Sequence, residues 1–191
     1  MSKLVDDYLN GLSKIYNEDR LKEFKLIPPA SQNQINRLKS IYPNVPNELL
    51  ELLKKIDGTN GVYNENRIWL EFFEDREFPF TFCSTEKMLE HAKSDCSWAE
   101  LYGLSPEDIE DEEIFSGEIN PLASCRDWLH LGENMICYSN LYIDFNPSQF
   151  GKEGQIIFYM HDPDSYFSIA DSFADFLKMN LDSNFEYLIC D

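Results

Sequence analysis

The residues with the most chemical potential are His161-Asp162-Pro163-Asp164. An imidazole beside two carboxylates has the makings of a general base or a metal ligand set. The same four residues also suit a hairpin turn, because Asp and Pro both favour tight reversals. The turn is the favoured reading. A hydrolase using His161 with Asp162 or Asp164 would need further support, and no GxSxG motif or cysteine-protease signature accompanies it. Asp144 stands between Ile143 and Phe145, so on a strand it points to the face opposite both. It is either a binding or catalytic acid, or a cap on the turn at Asn146-Pro147, and the cap is favoured. Gly151 and Gly154 resemble a phosphate loop only superficially, since no Lys-Ser/Thr follows them. A tight connection between strands accounts for them better. His91 and His130 are isolated along the chain and read as structural or surface residues.

Five cysteines, Cys83, Cys96, Cys125, Cys137 and Cys190, form an odd set without a CxxC pair. Free, mostly buried thiols in a reducing compartment are expected. Neither they nor the three histidines cluster at zinc-ligand spacing, and no cofactor or metal is expected. From Glu100 to Glu118 there are eight acidic residues and no basic one. The spaced Asp/Asn pattern with a central glycine that binds calcium is absent there. This stretch is read as an acidic insertion at about 100–118 on the domain surface. Glu107, Asp108, Glu110, Asp111, Glu112 and Glu113 are its candidate partner-binding residues, against a plain solvated face as the alternative.

The charge of the whole chain points the same way. Its 191 residues carry 35 Asp plus Glu against 16 Lys plus Arg, a net charge of −19. Such a surface repels phosphate backbones and anionic membranes, so neither nucleic acid nor membrane is an expected partner. A cationic protein is favoured, because long-range attraction speeds encounter. No apolar run is long enough to span a bilayer, and the amphipathic N-terminus lacks a signal-peptide pattern. Cytoplasmic location is the default expectation.

The elements that must position these residues follow from periodicity. Residues 3–24 read as one helix on Leu4, Tyr8, Leu12 and Ile15. Ser31 caps a second helix bearing Ile35, Leu38 and Ile41. Asn47 caps a third, rich in leucine, which Asp57-Gly58 ends through a left-handed glycine. Strands are expected at 62–63, 68–73, 78–83, 128–131, 135–138, 141–145, 155–160 and 166–169, with a helix at 85–93. Ser172 caps a closing helix with Phe173, Phe176 and Leu177. Phe72, Phe73, Phe78, Phe80 and Phe82 cannot all face inward on ordinary strands. They form either an exposed interface or, as favoured here, part of a core with helices on both sheet faces. The order of elements predicts an α+β fold with a mostly antiparallel sheet flanked by helices.

Three blocks resemble the SUKH superfamily, the group of the fungal cell-wall-synthesis regulator and its bacterial immunity-protein relatives. The first spans 26–53 and closes with Asp57-Gly58 and Gly61; it includes Val45-Pro46. The second is Trp128-Leu129-His130-Leu131-Gly132, with His130 where the family commonly has proline. The third and most specific runs from Ile143-Asp144-Phe145-Asn146-Pro147 through Gly151 and Gly154-Gln155 to Ser172-Phe173 and Phe176-Leu177. The resemblance implies a single SUKH-like domain at 26–191 behind an N-terminal helical extension at 1–25. It gives Pro46, Gly58, Trp128, Asp144, Pro147, Gly154, Gln155, Ser172 and Phe173 structural roles as motif residues. It implies no catalysis. Many bacterial members resemble immunity proteins that neutralise polymorphic toxins, often nucleases; others resemble intracellular regulatory scaffolds. The implied function is toxin inhibition by protein binding, with a scaffold that binds a protein partner without neutralising it as the alternative.

Overall fold

A computed structural model describes residues 3–58, 69–70, 80–105, 109, 114–134 and 138–185. Helix α1 (Lys3–Ile15) buries Val5, Tyr8 and Leu12, three- and four-residue steps along one face. It does not continue to residue 24 as the periodicity predicts. Asn17 takes an extended conformation and its side chain accepts the Arg20 N–H, starting a separate helix α2 (Glu18–Phe24). Asn bonds local backbone more readily than it continues a helix, and here that preference wins over the apolar repeat. Ser31 caps α3 (Gln32–Ile41) in a full capping box with Gln34. Helix α4 (Asn47–Leu53) has Pro46, not Asn47, at its cap position, and no side chain caps it.

Gly58 corrects a second expectation. It lies beyond the end of α4 and its φ is not left-handed. A β-carbon there would stand 2.1 Å from the Cys83 carbonyl carbon and 2.3 Å from the Phe82 oxygen. The glycine is needed because two backbones meet, not because one turns. Beside it, Asp57 accepts both the Thr85 N–H at 2.8 Å and the Thr85 hydroxyl at 2.7 Å. This clasp fixes the helical layer to the start of α5 (Thr85–His91).

Among the described residues the sheet has six antiparallel strands in sequence order: β1 (Trp69–Leu70), β2 (Phe80–Phe82), β3 (Trp128–Asn134), β4 (Ser139–Asp144), β5 (Gln155–Met160) and β6 (Ser165–Ala170). Of the expected strand at 135–138, Tyr138 sits in the β3–β4 turn at φ 56°, and 135–137 lie outside the described residues. So do Phe72, Phe73 and Phe78. Alternation sorts the strand side chains onto two faces. Phe80, Phe82, Leu129, Leu131, Leu141, Ile143, Ile156 and Phe158 face the main core, which α1, α3, α4 and α7 (Phe173–Asp182) complete. Trp128, Tyr142, Ile157 and Tyr166 face a second, smaller core. Short elements cover this outer side: α6 (Trp98–Leu101), a 3-10 turn (Cys125–Asp127) and the segment around Ile119. Burial on both faces makes every residue of β3 buried.

Candidate interaction face

Three of the motif residues form one row across the sheet, and Pro147 and Gly154 lie in the loop beside it. Trp128, Asp144 and Gln155 are direct cross-strand partners on β3, β4 and β5. Asp144 accepts the Asn146 N–H at 2.8 Å, capping the turn, and the Gln155 amide at 2.9 Å. Gln155 also donates to the Glu118 carbonyl and accepts the Lys152 N–H. The connection between β4 and β5 is tight: Gly154 is left-handed at φ 88°, and a β-carbon on Gly151 would stand 2.3 Å from the Glu118 oxygen. Pro147 belongs to the same loop, and its side chain would lie 2.8 Å from that β-carbon. Burial pushes the Asp144 carboxyl up to about 6 against the Asn146 and Gln155 hydrogen bonds. Ser172 accepts the Asp175 N–H at the start of α7, and Phe173 is fully buried.

The outer core is a continuous aromatic stack. Trp98 of α6 lies on Trp128 at 4.5 Å between ring centres, with planes 25° apart. His91 and His130, far apart in sequence, meet at 5.2 Å, and each packs against Tyr142. Burial, reinforced by His91 and Lys87, lowers the His130 pKa to about 3, and burial lowers that of His91 as well. Both rings are therefore neutral at physiological pH and serve packing rather than charge. His130 Nε2 lies 3.1 Å from the Asn140 side-chain oxygen.

Towards β6 the stack becomes polar. Residues 161–164 form the β5–β6 turn, with Asp162 at φ 63°. Asp164 collects three donors: the Tyr159 hydroxyl at 2.7 Å, the Tyr102 hydroxyl at 2.9 Å and His161 Nδ1 at 2.8 Å. Burial works against its carboxylate, but the bonds from Tyr159, His161 and Tyr102 outweigh it and hold the pKa below the usual range. The potential base is thus engaged with its own wall. Tyr138 stands beside this turn, 67% exposed, with its ring edge-on to His161. Among the described residues, no group of three or more His, Cys, Asp or Glu is placed to hold a metal ion.

Glu107, Asp108, Glu110, Asp111, Glu112 and Glu113 lie outside the described residues. The two ends of their segment are described, and both are pinned to this wall. Before it, Gly103 turns the chain at φ 67° and the Leu104 N–H bonds the Ala99 carbonyl. After it, the Tyr166 N–H donates to Ile114 and the Tyr166 carbonyl accepts from Ser116, at 2.7 and 2.9 Å. Phe115 stacks on Tyr166 at 5.1 Å and meets Tyr102 edge-on. Sequence reasoning singled out the acids but missed Tyr102, Phe115 and Tyr166, which anchor them. The available signal was an aromatic residue on each flank of the acidic run.

Helices packed on one face of an antiparallel sheet, with an aromatic layer on the other, make this an α+β single-domain protein. The chain belongs to the SMI1 / KNR4 family (SUKH-1), whose model matches residues 29–179. That span begins after α2, ends within α7 and contains the motif row, the aromatic wall and the acidic segment. No curated protein matches the chain. Among the described residues, no helix is long and apolar enough to cross a membrane.

Proposed function

We propose that this protein is a non-catalytic immunity protein that binds and neutralises a cognate cationic toxin domain of the nuclease type in the cytosol. The observation that carries the reading is the acidic segment at 107–113, joined at both ends to the wall of Tyr102, Phe115 and Tyr166 in a chain of net charge −19. A nuclease cleft is basic because it holds phosphate, so an acidic segment beside aromatic anchors is chemically suited to fill it. Membership of the SUKH-1 family supports a protein-binding role.

The test is co-purification at low salt with the full chain as bait. Recovery of a basic nuclease domain, inactive while bound and released by salt, supports the proposal. Recovery of acidic enzymes or kinases alone favours a regulatory scaffold. With the partner in hand, Asp108, Glu110, Asp111, Glu112 and Glu113 are replaced together by Asn or Gln. Association should slow by about tenfold or more and its salt dependence should weaken. Unchanged kinetics would remove this segment from the interface.

A further inference from the structure

The outer layer holds a pair of thiols that the function above does not use. Cys96 Sγ and Cys125 Sγ are 3.6 Å apart. Their backbones flank a single antiparallel bridge. Ser97 and Ser124 are bridge partners, so Cys96 and Cys125 fall directly opposite each other one step along. The Cys125 N–H donates to the Cys96 carbonyl at 2.8 Å, and the Trp98 N–H to Ala123. Residues opposed in an antiparallel pair have Cα atoms roughly 4.5–5.5 Å apart, inside the range that a disulfide spans. Forming the bond brings the two sulfurs from 3.6 Å to the roughly 2.05 Å of a disulfide. We propose that Cys96 and Cys125 are a modification site, a thiol pair that a peroxide converts to a reversible intramolecular disulfide.

The two thiols are not equivalent. Cys125 is buried, and burial together with the neighbouring Cys96 pushes its pKa up to about 12. Cys96 is only partly buried, with Ser94 Oγ 3.2 Å from its sulfur. Peroxide therefore meets Cys96 first. One peroxide oxidises the Cys96 thiol to a sulfenic acid and leaves as water. The Cys125 sulfur then attacks the Cys96 sulfur, forming the S–S bond and expelling the hydroxyl, which departs with the Cys125 proton as a second water. Two thiols lose two electrons and one peroxide gains them. A dithiol reductant reverses the bond by exchange. The loop so closed contains Trp98, Tyr102, the acidic segment and Phe115. The bond would close the covering segment at 96–125 without touching the main core.

The test uses the full reduced chain and a stoichiometric amount of hydrogen peroxide. Trypsin leaves both cysteines on one peptide, because no Lys or Arg lies between Lys93 and Arg126. Cleavage after glutamates separates them, and mass spectrometry then reads the cross-link. The expected result is loss of two hydrogens from the intact chain, a Cys96–Cys125 linked pair, and recovery of both thiols with dithiothreitol. In Cys96→Ser the intramolecular disulfide should disappear. Cross-links to Cys83, Cys137 or Cys190 in the wild-type chain would overturn the proposal. So would Cys96 reaching the sulfinic acid while Cys125 stays reduced. The wild-type map decides the matter even where the variant folds poorly.

Discussion

Asp144 is a carboxylate whose burial outweighs its own hydrogen bonds, and this gives it a measurable pH signature. Its folded pKa, about 6, lies above the ordinary value of 3.8. The folded state therefore holds the proton more tightly than the unfolded chain. The contribution to stability is fully present below about pH 3.8 and is lost as pH rises through about 6. The Asp144→Asn variant carries no such titration. The stability of the wild type relative to the variant should fall by roughly 2–3 kcal/mol between pH 4 and pH 7. Urea unfolding at a series of pH values checks this, and a flat difference would contradict it. The capping role of Asp144 is legible in Asp144-Phe145-Asn146-Pro147, because Asp before such a turn bonds the next free amide. Its bond to Gln155 is not legible, since strand register places those two opposite each other. The meeting of His91 with His130 was hidden because it depends on how α5 packs against β3, which neither local sequence shows.

Between elements, α5 is joined to β3 by a buried charge. Lys87 pairs with Glu133, whose side chain is 9% exposed. Removing the lysine leaves a carboxylate in the interior without its cation, and such losses cost far more than the pair itself is worth. Lys87→Met should destabilise the fold by about 3 kcal/mol, the low end for buried pairs, because the lysine keeps some contact with water. Adding Glu133→Gln to that variant should restore most of the loss in urea unfolding; no recovery would mean that Lys87 acts through packing alone. At this scale the capped helices were the most legible features. Ser31 and Ser172 announce their helices because a side-chain oxygen satisfies an orphan N–H whatever the tertiary context. The helix break at Asn17 is not legible from the apolar spacing, which runs on past it; the capping preference of Asn decides there. The covering layer between β2 and β3 was read poorly, since much of it has no period to detect. It is held instead by long-range contacts such as Trp98 on Trp128.

For the whole molecule, the net charge of −19 opposes compaction. Ion pairs such as Lys22–Asp19 and Arg126–Asp95 are exposed and offset little of it. Salt should therefore stabilise this protein rather than weaken it. The Tm should rise between about 0.02 and 0.3 M sodium chloride, by roughly 2–4 °C for each kcal/mol of repulsion screened. A falling Tm would mean that its ion pairs matter more than its net charge. The α+β class and the mostly antiparallel sheet were legible from the chain alone. A core on both sheet faces was an expectation, but its aromatic membership was not legible, because Trp98, Ile119 and Cys125 reach the strand residues Trp128, Tyr142 and Tyr166 only through the tertiary fold. The segment after the acidic run has one more consequence. Among the described residues β6 ends the sheet, and an open end is a template on which another chain can continue the ladder. Here Ile114 and Ser116 already occupy the N–H and carbonyl of Tyr166. The attachment that holds the acidic segment therefore also acts as a stopper against chain-to-chain polymerisation. A partner that pulled it away would expose a seed for aggregation.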